Sequence, residues 1–238
     1  MASALTTSAA CAPSSWQADR VAITKACLVD VYDTILASAF PERQRELAMV
    51  AGVDDDLWRT EWLRLSLDRD VGALSMTAAF ERTLAACGHD PDPALVARLV
   101  ARDAELIISH TTVFADTAPF LAKARAAGLG IALVSNCAEN TRAMLAAKGL
   151  LDLADAAILS CEAGLAKPDP EIYLLALQAL GAGPADAVML DDQPRFCAGA
   201  TAAGIKAIQV TRPEVNGHPP DPRFPSVTTL QDVLPLLS

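Results

Sequence analysis

Several residues stand where their types and spacing could do chemistry. In "CLVDVYDT", Cys27 to Thr34, an apolar run ends on Asp30, and Asp33 follows with Tyr32 before it. A carboxylate at a strand end faces a cleft, where it can attack phosphorus or carbon and form a covalent ester. In "VMLDDQ" another apolar run ends on two adjacent acids, Asp191 and Asp192. Like charges set side by side repel, and a cation between them relieves the repulsion. Hard carboxylate oxygens suit Mg2+, which takes few carboxylates and completes its shell with water and substrate oxygens. A third run, "ALVSN", ends on Ser135 and Asn136. A hydroxyl with nearby backbone N–H groups can hold a phosphoryl oxygen, though the same two residues could simply cap a following helix.

These groups are far apart in sequence, so the fold must gather them. The runs "ACLVD", "GIALVSN", "AAIL", "AVMLDD" and "KAIQV" each have strand length. Between them lie "TAPFLAKARAAG", "ENTRAMLAAKG", "PEIYLLALQALG" and "RFCAGATAAG", helix-like stretches that each end in glycine. Strand and helix in alternation predict an α/β fold, a Rossmann-like parallel sheet flanked by helices. Ligands of such sheets bind beyond the carboxyl ends of the strands, and Asp30, Ser135, Asn136, Asp191 and Asp192 all fall there.

Residues 38–112 break the alternation. Four stretches show apolar residues at helical spacing, and no strand is evident. The spacing predicts a core at 21–37 and 113–238 with a helical cap at 38–112, hanging over the strand ends as a lid. Residues 1–20, rich in Ala, Ser and Thr, read as a flexible tail, and the Pro-rich "RPEVNGHPPDPRFPS" as irregular chain. "TTLQDVLPLLS" is expected to close the fold as a helix.

The chain has 238 residues, 52% apolar and only 5% aromatic, so the core is built mainly from Ala, Leu and Val. A formal net charge of −10 with no basic run excludes nucleic acid as partner. No apolar run is long enough for a membrane span. Six cysteines without a CxxC pair read as reduced thiols in a cytoplasmic protein, and the N-terminal composition argues against a secretion signal. The expected partner is a small anionic molecule. Arg43, Arg45 and Arg69 in the insertion are the cations that could meet it, against the plainer reading of solvated helix faces. Trp58 and Trp62, four apart on one helical face, read first as cap core. Monomer and homodimer are both compatible with the sequence.

These residues together resemble the haloacid dehalogenase-like hydrolase superfamily, of the type with a helical cap after the first strand. "LVDVYDTIL" is similar to its first motif, "ALVSN" to the second, "SCEAGLAKPDPEIYLLAL" to the third and "VMLDDQPRFCAGATAAGIKAIQV" to the fourth. The resemblance implies that Asp30 is a nucleophile and that Lys167 is an ammonium beside it. It also implies Mg2+ held by Asp30, Asp192 and the Tyr32 backbone carbonyl, with Asp191 in support. The reaction it implies is a phosphatase acting through an aspartyl phosphate, with Asp30, Ser135 and Lys167 as the catalytic set. Asn136, Tyr32, Arg43 and Arg45 would be at the substrate.

One departure matters. Phosphatases of the superfamily usually carry a second Asp two residues after the nucleophile, and here that position is Tyr32. Tyr at that position resembles the 2-haloacid dehalogenases, which release halide without a metal or a proton donor. The acidic pair Asp191 and Asp192 argues the other way. Asp33 falls where glycine is common, and its role stays open. A weakly active ligand- or partner-binding protein is the third alternative. Phosphonate-cleaving relatives need a cap lysine, and residues 38–112 contain none.

Overall fold

The computed structural model describes residues 24–215 and 217–237. The expected tail at 1–20 lies outside them. The central strand is β1, Ala26–Val29, every residue of it buried. It lies parallel between β4, Gly130–Ser135, and β6, Ala187–Asp191. The sheet continues to β5, Ala156–Leu159, on one side and to β7, Lys206–Val210, and β8, Ser226–Val227, on the other. The order is β5-β4-β1-β6-β7-β8.

Alternation along the strands builds the two faces. Ala26 and Leu28 of β1, with Ala132, Val134 and Met189, meet α9, Pro170–Leu180, and α10, Pro194–Ala202. Cys27 and Val29, with Ile131, Leu133 and Leu190, meet α6, Thr117–Ala126, and α7, Thr141–Ala147. Both faces are covered, which is why these strands read as continuous apolar runs. Helix signals in the sequence are used as written. Asp169 caps α9 by accepting from the Glu171 N–H, Pro170 opens it, and Gly181 closes it in a left-handed conformation.

The inserted segment holds five helices: α1 Phe40–Ala51, α2 Asp55–Arg64, α3 Ser66–Asp70, α4 Met76–Ala86 and α5 Pro93–Ser109. They enclose their own core, in which Trp58 stacks on Trp62 and Phe80, and the Trp62 and Phe80 rings meet at a tilt, their centroids 4.8 Å apart. Asp54, Ser75 and Asp92 cap α2, α4 and α5.

Three details differ from the sequence reading. The two chain crossings into the insertion are strands, β2 Leu36–Ser38 and β3 Thr111–Val113, paired antiparallel. Three residues are too few for a period-2 pattern to register. The tail end is not one helix but two short 3-10 turns, Leu230–Asp232 and Leu234–Leu236, because Pro235 cannot continue a helical hydrogen-bond ladder. Where the Pro-rich stretch ends, β8 adds a sixth strand. The remaining helix, α8 Ser160–Ala163, is a single turn after β5.

Candidate active site

Asp30 leaves the end of β1 with its N–H bonded to the Leu190 carbonyl of β6 (2.9 Å). A tight turn follows, in which Ile35 and Leu36 both donate to the Val31 carbonyl. Asp33 takes φ +59°, a left-handed conformation that Asp tolerates better than most residues. That requirement explains why glycine would suit the position. The turn folds Thr34 back so that its hydroxyl donates to Asp30 Oδ2 (3.0 Å).

Lys167 arrives from the loop after α8. Its buried Nζ donates to Asp30 Oδ1 and to Asp191 Oδ2, each at 2.6 Å, and lies 4.7 Å from the centre of the Phe196 ring. Asn136 holds this lysine by its backbone: the Asn136 amide donates to the Lys167 carbonyl (2.9 Å) and accepts from the Lys167 N–H (2.8 Å). The Lys167–Pro168 peptide is cis. Asp191 Oδ1 accepts from the Gln193 N–H (2.9 Å), so both of its oxygens are engaged. Thus Asp30, Lys167, Asp191 and Asp192 meet at one edge of the sheet. At the end of β4, next to β1, the Ser135 hydroxyl is buried without a hydrogen-bond partner.

The electrostatics follow from crowding three acids out of water. Burial works against the Lys167 charge, but the Asp191 and Asp30 carboxylates outweigh it and hold the ammonium above its ordinary pKa. Burial pushes Asp191 up to about 7, with Lys167 pulling it back and Asp30 adding to the rise. Asp192 goes further, to about 9, through burial and then the charges of Asp30 and Asp191. Ligand oxygens of Asp30, Asp191 and Asp192 all lie within 4.8 Å of one another. Asp192 Oδ1 is buried with no partner. Oxygen donors, excess negative charge and an orphaned carboxylate oxygen suit a hard divalent cation such as Mg2+. Asp192 has the free oxygen for direct ligation, and the engaged Asp191 is left to orient its neighbours.

Between the strand ends and the insertion is a cavity of about 340 Å³. Its walls include Tyr32, Asp33, Arg43, Trp62, Arg69 and Asn136. Arg43 Nε is buried, makes no hydrogen bond and stands 3.5 Å from Asp103. Arg69 stacks on Trp62, 4.0 Å from the ring centre, and donates to the Trp62 carbonyl (2.6 Å). Burial lowers the Arg69 pKa to about 10. The Tyr32 hydroxyl bonds with Thr141 Oγ1 (3.0 Å), and burial raises its pKa above the usual tyrosine value.

One expected substrate contact needs correction, and a second lies at the cavity with its amide already engaged. Arg45 is exposed on the outer face of α1, 3.6 Å from Asp55, and does not line the cavity. It is two residues from Arg43, and neighbours at that spacing do not share a helix face. Asn136 does border the cavity, but both groups of its amide are committed to the Lys167 backbone. Two residues outside the expected catalytic, substrate and metal sets join the site. Asp33 borders the cavity, and burial and the Asp30 charge raise its pKa. His218, from the irregular segment after β7, brings Nδ1 to 3.4 Å from Asp192 Oδ2.

Residues 24–204 match the haloacid dehalogenase-like hydrolase family. The chain belongs to that family. Its relatives include both phosphatases and 2-haloacid dehalogenases. It is 29% identical to the glyceraldehyde 3-phosphate phosphatase of Methanopyrus kandleri, over 79% of this chain and 84% of that protein. It is 27% identical to (S)-2-haloacid dehalogenase 4A of Burkholderia cepacia, over 90% of this chain and 95% of the relative. A shorter match, 36% identity over 42% of this chain, covers 41% of the phosphoserine phosphatase of Thermus thermophilus. The 2-haloacid dehalogenase structure from Pseudomonas syringae superposes with a TM-score of 0.68 at 24% identity, covering 90% of this chain and 97% of that one. This last likeness concerns the fold alone. Among the described residues no helix is long and apolar enough to cross a membrane.

Proposed function

We propose that this haloacid dehalogenase-like hydrolase is a Mg2+-dependent phosphatase acting on a small anionic phosphate ester through an aspartyl phosphate at Asp30. One observation carries the reading: the Asp30, Asp191 and Asp192 cluster, with the Asp192 Oδ1 atom buried and unpartnered. Metal-free halide displacement has no use for such a cluster, whereas phosphoryl transfer does.

Asp30 is the nucleophile. Lys167 holds one oxygen of Asp30 at 2.6 Å and faces the charge of the transferring group. The free Ser135 hydroxyl donates to a phosphoryl oxygen. Asp30, Asp192 and the Tyr32 backbone carbonyl would hold Mg2+, with Asp191 fixing Lys167 behind them. Bound there, the cation would neutralise phosphoryl charge. As the Asp30–phosphorus bond forms, the bond to the leaving oxygen breaks, and that oxygen takes up a proton. Tyr32 is a poor donor, since its phenol is tied to Thr141 and its pKa is raised. Asp33, on the cavity wall beside it, takes the proton-transfer role. The inserted helices act as a cap, and Arg43, whose buried Nε makes no hydrogen bond and faces Asp103 at 3.5 Å, meets the anionic end of the substrate. The five described cysteines are all free thiols, which supports a reducing, cytoplasmic setting.

The test is a phosphomonoester panel with Mg2+ and with EDTA. Hydrolysis lost on chelation supports the reading, and hydrolysis indifferent to EDTA sinks it. A second reading, 2-haloacid dehalogenation by Asp30, is favoured by Tyr32 at the acid position and by the long match to a dehalogenase. It requires halide release from a short 2-haloacid without added metal.

A further inference from the structure

The proposed chemistry gives no role to Arg212, yet this residue is almost wholly buried just after β7. Its Nε and Nη2 both donate to the Thr34 carbonyl, at 3.1 and 2.7 Å. Nη1 and Nη2 donate to Asp116 Oδ2 and Oδ1, at 2.8 and 3.0 Å. The guanidinium carbon stands 4.3 Å from the centre of the Phe114 ring. Asp116 is itself fixed by the Thr229 hydroxyl (2.9 Å) and the Leu230 N–H (2.8 Å). A buried ion pair is seldom the most stable filling for its space, so its use is sought in what it positions.

What it positions is the turn that carries the nucleophile. Thr34 accepts from Arg212 through its carbonyl and donates through its hydroxyl to Asp30 Oδ2. The next carbonyl, of Ile35, is held by the Phe114 N–H (3.1 Å) and the Thr117 hydroxyl (2.6 Å). The turn is thus pinned from the side where the chain returns from the inserted helices. Lys167 fixes one oxygen of Asp30 and Thr34 fixes the other. Only the second contact depends on the turn.

We propose that Arg212 is a positioning residue which, acting through Thr34, sets the Asp30 carboxylate for in-line attack. The inference rests on the reading of Asp30 as nucleophile. Lysine at this position keeps a cation for Asp116, but its single ammonium cannot reproduce the paired N–H groups that grip the Thr34 carbonyl. Released, Thr34 no longer fixes Asp30 Oδ2, while Lys167, Ser135 and the cavity wall still bind substrate. The cost therefore falls on kcat and not on KM.

The experiment compares Arg212→Lys, Thr34→Val and the double variant on p-nitrophenyl phosphate with Mg2+. Misplacement of a reacting group by an ångström costs on the order of 100-fold, so each single variant should lose about 10- to 100-fold in kcat with KM within about twofold. Both variants break one link, so the double variant should be no slower than the slower single. Multiplicative losses, or a fall in melting temperature with kcat unchanged, overturn the proposal. If Arg212→Lys fails to fold, Thr34→Val decides alone, and an unchanged kcat refutes. Crystal structures of the native protein and of Arg212→Lys give a readout independent of turnover. The Thr34–Asp30 hydrogen bond should be present in the first and lost in the second. Its survival in Arg212→Lys overturns the role of Arg212. Its loss together with an inactive native protein overturns the phosphatase reading and leaves the positioning link standing.

Discussion

Replacing Lys167 by Met probes the charge balance of the site. Methionine keeps the length of the stem and removes the ammonium. In the native protein Nζ sits 2.6 Å from a carboxylate oxygen on each side, with the lysine side chain fully buried. Removing one member of a buried ion pair costs about 3–5 kcal/mol, because the partner is left charged and out of water. Here two carboxylates are left facing each other inside a cluster no more than 4.8 Å across, so the upper half of that range is expected. For a chain of this length about 4 kcal/mol corresponds to roughly 8–16 °C in melting temperature. The pH dependence gives a sharper signature. Burial already raises Asp191 to about 7 with Lys167 present, and without it the carboxylates bind protons more tightly still. A carboxylate whose folded pKa is raised stabilises the fold in full below its ordinary pKa. That contribution is lost as pH rises through the folded value. The deficit of Lys167→Met relative to the native protein should therefore be small near pH 5 and large near pH 8. Thermal unfolding followed by circular dichroism in EDTA, at both pH values, measures it. Equal melting temperatures at pH 8, or a deficit that grows on acidification, would refute the reasoning.

Three further outcomes follow from the same contacts. Mg2+ at about 100 times its dissociation constant should stabilise the native protein by about 2.7 kcal/mol, read as a rise in melting temperature that Asp192→Asn abolishes. Gly199→Ala would place a Cβ 2.7 Å from Pro168 Cβ and 2.8 Å from the Pro168 carbonyl oxygen, pressing α10 against the loop that carries Lys167. A loss of about 1–3 kcal/mol in denaturant unfolding, with reduced turnover, is expected, and unchanged values of both would count against the packing described. Burial works to raise the Asp116 pKa, but hydrogen bonds from Arg212, Leu230 and Thr229 outweigh it and hold it below the ordinary value. Its contribution is present above the unfolded pKa and is lost as pH falls through the folded one. Asp116→Asn should therefore lower the melting temperature at pH 7, with a difference that shrinks as pH falls below the ordinary carboxylate range.

The strand ends were the legible part of this molecule. Five apolar runs predict five strands, and their last residues place Asp30, Ser135 and the Asp191–Asp192 pair at one edge, where the sheet has them. Those signals are strong because parallel strands covered on both faces have to be apolar throughout. Lys167 is different. Nothing in its local sequence says that it reaches across to β1 and β6, and only the resemblance of "GLAKPDP" to a motif pointed there. Arg45 shows the limit of composition, since an arginine near a site is as well placed for solvent as for substrate until the helix phase is known. Arg212, Asp116 and His218 carried no signal at all. Their partners lie far away in sequence or, for Thr34, are backbone carbonyls, which any residue type can present. Tyr32 stands in the sequence as a departure from the usual second Asp. Its bond to Thr141 explains how the residue is held, and the proton donor is then sought at Asp33.

The central claim is that Asp30 becomes phosphorylated in a Mg2+-dependent reaction. The most direct measurement is peptide mass spectrometry of the Asp30 segment after rapid acid quench of the protein turning over a phosphomonoester, with and without Mg2+. A phosphoryl group on Asp30, formed only with Mg2+ and absent from Asp30→Asn, is the predicted result. No phosphoryl adduct with Mg2+, together with a carboxyalkyl ester on Asp30 after incubation with a 2-haloacid in EDTA, would contradict it.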